Sequence, residues 1–147
     1  MTKDGRTALR EVVDSADQSL RAHAVAEPGA GELERRAADP SRAFVLEAVR
    51  EGFLLHYGEP RAFETMDDDL RLLAGDALYA MGLERLAREG DLEAVAELAD
   101  LISLCAWAEA EGRTELVPEL WDASVEALSG TGPGARSRLG PGLRHER

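Results

Sequence analysis

A single cysteine, Cys105, stands among 147 residues. That excludes an internal disulfide framework and any multi-cysteine zinc site. Lysine is nearly absent too, with Lys3 alone beside sixteen arginines, and aromatic residues make up only 5%. No apolar run approaches the roughly 20 residues that span a bilayer, and residues 1–5 do not open a signal peptide. No stretch alternates Val, Ile, Thr or aromatic residues between turns, so strands are not expected. A phosphate-binding glycine loop, a nucleophile elbow and a paired-carboxylate motif are all missing. So is any internal repeat of about 20–50 residues. Positive charge is short as well: 17 basic residues against 29 acidic ones leave −12. Such a field repels nucleic acid and anionic lipid. The expectation is a soluble cytoplasmic protein with no membrane span and no nucleic-acid partner.

What remains is helix-forming material. Apolar residues make up 44% and charged residues 31%, and alanine, leucine and glutamate dominate, all good helix formers. The sequence predicts an all-α fold: one bundle of about five main helices over residues 1–128, then a flexible tail over 129–147. Seven of those 19 tail residues are Gly or Pro, and the tail carries +3 through Arg136, Arg138, Arg144 and Arg147 against Glu146.

Periodicity places the helices. Leu9, Val12, Val13, Ala16, Leu20 and Ala24 mark one face of a helix over about 6–26, which Pro28, Gly29 and Gly31 break. A short polar helix is expected over 32–38. Asp39-Pro40-Ser41 starts the next one, with Asp39 or Ser41 as cap. Its inward residues are Phe44, Val45, Ala48, Val49, Gly52 and Leu55, and Gly58-Glu59-Pro60 stops it. Residues 61–66 form a connector. A long helix then runs to Gly90 with Leu70, Leu73, Ala74, Ala77, Leu78 and Met81 on one stripe. Gly90-Asp91 is a stop followed at once by a cap, which predicts a tight antiparallel hairpin. The helix after it, 92–111, turns Leu92, Val95, Leu98, Ala99, Ile102, Cys105 and Ala106 inward. A last helix over 114–128 buries Leu116, Leu120, Trp121, Val125 and Leu128, with Pro118 harmless in its first turn.

Few residues invite chemistry. Asp67, Asp68 and Asp69 stand where a helix amino terminus favours negative charge. Adjacent helical residues fan apart by 100°, so the three carboxylates do not converge on a cation. Asp76 interrupts an apolar stretch. If buried it needs a partner, and Arg50, Arg61 and Arg71 are available. His23, His56 and His145 lack a second ligand at metal-binding spacing. His56 beside Tyr57 fits a dipole partner at a helix end; a pair of His56 with Asp76 is conceivable, though no spacing rule points to it. Cys105 lies on an apolar stripe and reads as a core residue. Gly75 and Gly82, seven apart, share nearly one face. Each costs up to about 1 kcal/mol in a helix interior, so the close approach of another helix is expected there.

The segment Leu72-Leu73-Ala74-Gly75-Asp76-Ala77-Leu78-Tyr79, continued by Leu86-Ala87 and Gly90-Asp91, resembles a helix hairpin of the trans-type polyprenyl diphosphate synthases. The resemblance covers about residues 69–108 and centres on the L-A-G-D signal at residues 73–76. Catalytic members carry two aspartate-rich D-D-x-x-D motifs that hold magnesium against the diphosphate. Here Arg71 stands where the closing aspartate would follow Asp67 and Asp68, and no second such motif occurs. The pattern is most similar to the small non-catalytic subunit of heteromeric heptaprenyl or hexaprenyl diphosphate synthases. That resemblance implies a protein that is no enzyme on its own, holds no cofactor or metal, and pairs with a catalytic polyprenyl synthase subunit. It would then complete a hydrophobic tunnel and help set prenyl chain length. Gly75, Asp76, Leu78, Tyr79, Met81 and Gly82 are the candidate partner or tunnel-wall positions. The alternative is a small helical scaffold with no prenyl-related role, a homodimer built on the Gly75/Gly82 face.

Overall fold

The computed structural model describes residues 7–139. Thr7 Oγ1 accepts the Arg10 N–H at 3.1 Å, and Glu34 Oε1 accepts the Ala8 N–H at 3.0 Å, so two side chains satisfy the start of α1 (Ala8–Ser15). The helix expected to reach residue 26 ends early. Ala16 is extended, and Asp17 caps a separate short helix, α2 (Gln18–Arg21), through Ser19. Asp17 competes with the helix interior for backbone N–H groups, which periodicity does not weigh. The expected burial survives the break for Leu9, Val12, Val13, Ala16 and Leu20. Ala24 instead forms an isolated antiparallel bridge with Phe63. The short helix predicted over 32–38 reduces to one 3₁₀ turn, Glu34–Arg36.

Asp39 is the cap of α3 (Pro40–Tyr57): its Oδ1 accepts the Arg42 N–H at 2.8 Å, with Pro40 in the first turn. Asp67 caps α4 (Asp68–Arg88) in the same way, accepting the Leu70 N–H at 2.9 Å. Gly90, at φ 77°, ends that segment, and Asp91 caps α5 (Leu92–Ala110) at 3.1 Å. Then follow α6 (Val117–Leu128), with Pro118 in its first turn, and α7 (Ala135–Leu139). The architecture is all-α, and no described helix is long and apolar enough to cross a membrane.

These helices form two compact units, Met1–Arg88 and Glu89–Arg147. Within the first unit, the helix packed along α4 is α3. In the first unit, α3 lies at the centre. Every residue predicted to face inward from it is buried, and so are Ala43, Leu46, Glu47, Glu51 and Phe53. In the second unit, α5 and α6 pack together with α7 against both. The inward face of α5 is offset from the prediction: Ala94, Leu98, Leu101, Leu104, Cys105 and Ala108 are buried, whereas Leu92 is 70% exposed. Residues 129–139 of the predicted flexible tail include α7, whose Ala135 is fully buried and whose Arg136 pairs with Asp100 at 2.6 Å. Residues 140–147 lie outside the described part.

Candidate functional site

The L-A-G-D helix presents two faces of opposite character. Its inner face is made of Ala74, Gly75, Leu78, Gly82 and Leu86, all buried. The two glycines do admit a close helix, as the sequence suggests, and that helix is α3. A Cβ on Gly75 would lie 2.9 Å from the Gly52 carbonyl oxygen and 2.2 Å from the His56 ring. A Cβ on Gly82 would lie 2.9 Å from Val49 Cγ2. The glycine face is thus filled within the chain, which removes it as the seam of a homodimer.

The outer face differs from the predicted stripe. Leu73 and Ala77, expected inside, are exposed, Leu73 to 67%. Leu72 is 52% exposed. A helix as rich in leucine and alanine as α4 has two possible stripes. Periodicity selected one, while the glycines that α3 requires selected the other. Of the six candidate positions, Gly75, Leu78 and Gly82 belong to the inner face. Asp76 is exposed, and Tyr79 and Met81 are half-buried on the shoulders.

Asp76 is not an internal charge. Its side chain is 71% exposed, and its partner is His56 from the last turn of α3, at 3.3 Å. The same His56 Nε2 lies 3.0 Å from the Leu72 carbonyl oxygen. Both neighbours are acceptors, an arrangement that favours an N–H at Nε2. Tyr79 and Tyr57 meet the ring edge-on, at centroid distances of 5.2 and 5.7 Å. Among the described residues, no serine, threonine or cysteine joins this pair, so the arrangement orients the histidine without supplying a nucleophile.

The three arginines considered for Asp76 are committed elsewhere. Arg71 donates to the Leu55 and Leu54 carbonyls at 2.9 and 3.1 Å and to that of Gly58, and so caps the carboxyl end of α3. Arg50 pairs with Glu32 at 3.1 Å. Arg61 enters a buried cluster that the sequence did not suggest. Its guanidinium reaches Glu47 at 2.7 Å and Glu51 at 3.0 Å, and both glutamates are fully buried. Glu47 also accepts the Leu33 N–H at 2.7 Å, and Glu51 accepts the Arg61 and Ala62 N–H groups at 2.9 and 2.8 Å. Burial pulls the Arg61 guanidinium down, but the charges and hydrogen bonds of the two glutamates outweigh it and hold the group above its ordinary value. One sequence signal was available: Glu47 and Glu51 stand one turn apart within an apolar helix, and Arg61 follows its stop. Gly31 completes the cluster, since a Cβ there would collide with the Glu47 carboxyl group. Every oxygen is used on backbone or arginine donors, so this is a clamp tying two loops to α3.

Asp67, Asp68 and Asp69 are exposed at the start of α4. No group of three or more His, Cys, Asp or Glu is placed to hold a metal ion among the described residues. A cavity of about 260 Å³ is lined by Leu55, Phe63, Met66 and Arg71 among others, and another of about 470 Å³ by Thr7, Arg10 and the 26–30 loop. Neither is lined by a histidine or a cysteine. No protein-family model, curated protein or solved structure matches the chain.

Proposed function

We propose that the protein is a non-catalytic helical accessory subunit that docks on a larger partner through the outer face of α4. One observation carries the reading: Leu72 and Leu73, the leucines at the start of the L-A-G-D segment, stand 52% and 67% exposed, while α3 packs on the opposite, glycine-bearing face of the helix. Large apolar side chains left in water are candidates for burial against a partner. The inner face of the same helix is satisfied by α3, which leaves only the outer one for a partner.

The partner that the resemblance suggests is a catalytic polyprenyl diphosphate synthase subunit. It would supply the magnesium and diphosphate chemistry, and the small subunit would close or shape the product tunnel. A polyprenyl chain is an apolar rod, so each further buried carbon adds favourable transfer energy until bulk blocks the end. The test is co-expression with such a catalytic subunit, followed by co-purification and product analysis. A stable complex with an altered product length is expected. No complex, together with an unchanged product distribution, overturns the proposal.

A further inference from the structure

In the second unit, α7 sits against α5 and α6, and of its five side chains Ala135 alone is buried. A helix that short does not persist without packing, and one methyl group buries little apolar area. Polar links do the rest. Glu97 of α5 accepts the Ala135 N–H at 2.9 Å. Arg136 forks onto both oxygens of Asp100, at 2.6 and 3.3 Å. Arg138 reaches Glu126 of α6 at 3.6 Å. The four side chains of these two ion pairs are 31–44% exposed, so water and salt compete for them. Thr131 donates its N–H to the Glu126 carbonyl at 2.8 Å and closes α6 there. From Gly132 onward the chain can therefore lift without unwinding that helix.

The seat reads successive positions. Gly134 stands at φ 106°, and a Cβ on it would lie 2.3 Å from Glu97 Oε1, so only glycine fits. Ala135 is fully buried, which leaves little room for a larger side chain. At 136 a guanidinium matches both carboxylate oxygens as an ammonium does not. Ser137 is exposed and unread, and Glu126 draws the cation at 138. Sign agrees over a longer range: residues 129–147 carry +3 in a chain of −12, which leaves −15 on the rest. We propose that α7 is a detachable strap on a docking site: it lifts while α5 and α6 stay folded, and the vacated seat takes a Gly-Ala-Arg-x-Arg segment of another protein. Whatever holds this segment in cis holds the same chemistry in trans, and the tethered copy prevails through its effective concentration. A second copy of this chain gains nothing, because it vacates one seat to fill another and brings a further −12. The site lies wholly within the second unit and stands whatever the outer face of α4 binds.

The test uses the full chain and a fluorescent peptide with the sequence of residues 132–139. Arg136→Glu turns the strap's main ion pair into a repulsion and leaves the seat intact. By anisotropy, the peptide should bind this variant about 10-fold more tightly than the wild type, and less tightly as salt rises. Asp100→Arg added to Arg136→Glu should restore the strap and expel the peptide. Hydrogen exchange reads the strap directly. Amides over 135–139 should exchange faster in Arg136→Glu, and in the wild type at high salt, while those over 98–108 and 120–128 keep their protection. That protection also shows that the variant folds. Three results overturn the inference: equal or absent peptide binding to both chains, an α7 that stays protected in Arg136→Glu or opens only together with α5 and α6, and a sedimentation dimer that Arg136→Glu abolishes.

Discussion

Gly52 of α3 and Gly75 of α4 are set back to back. A Cβ on Gly52 would come within 2.8 Å of the Gly75 carbonyl oxygen, and one on Gly75 within 2.9 Å of the Gly52 carbonyl oxygen. Both obstacles are backbone and cannot rotate away. This contact sets the spacing of the two longest helices in the first unit and carries His56 across to Asp76.

Replacing Gly75 by alanine therefore pits two effects against each other. Alanine is the better helix former by about 1 kcal/mol. Overpacking against backbone costs about 1–3 kcal/mol, and the His56 ring must also move. A net loss is expected for Gly75→Ala, read as a lower urea midpoint with an unchanged slope. Gly82→Ala should cost less, because its closest obstacle is a methyl group of Val49. Equal or raised stability for Gly75→Ala would mean that the two backbones are not in contact.

The Arg61 clamp predicts a larger effect. Arg61→Met leaves Glu47 and Glu51 as buried charges without a countercharge, which costs about 3–5 kcal/mol. Arg61→Lys should recover only part of this, since one ammonium cannot fork to two carboxylates as the guanidinium does. The pH dependence follows from sign. Arg61 is held above its ordinary value, so its contribution is complete below the unfolded-chain value and fades only as pH rises through the folded one. That window lies in strong alkali, so the Arg61 guanidinium itself adds no slope to stability across neutral pH. Chemical denaturation of the three proteins at several pH values checks both points.

The same clamp shows where reading the sequence stops. Helix starts were legible because a cap is a local event: Asp39, Asp67 and Asp91 each bond an N–H three residues on. The buried set of α3 was legible because it is apolar on nearly every side. Arg61 and Glu47 meet across 14 residues, and His56 and Asp76 across 20. Such pairs depend on how the chain returns, which periodicity does not encode. The face of α4 was misjudged for a related reason. Leucine and alanine surround that helix, so the pattern alone could not say which stripe α3 would take; the glycines held the answer.

Arg71 gives a third prediction. Its guanidinium serves three carbonyls at the end of α3. Arg71→Ala should fray that end and cost about 1–3 kcal/mol. Amides over 54–58 should exchange faster while those over 43–50 stay protected. Arg71→Lys should not restore the protection, because three carbonyls in different directions match the fork of a guanidinium. Unchanged exchange over 54–58 would show that solvent already satisfies those carbonyls.

In the second unit, Glu97 holds α7 in place. Its Oε2 accepts the Ser124 hydroxyl at 2.6 Å and the Ala135 N–H at 2.9 Å, beneath Gly134 at φ 106°. Ser124 is fully buried, so removing its acceptor leaves a hydroxyl unsatisfied at a cost of about 1–3 kcal/mol. Glu97→Leu should show that loss and release α7, exposing residues 129–139 to limited proteolysis. Ser124→Ala removes the orphaned group along with the bond and should cost less. In the double variant the two costs should fall short of adding, since Glu97→Leu then leaves no hydroxyl stranded. Strict additivity would mean that Glu97 and Ser124 act independently and that α7 is held by the Arg136–Asp100 pair instead.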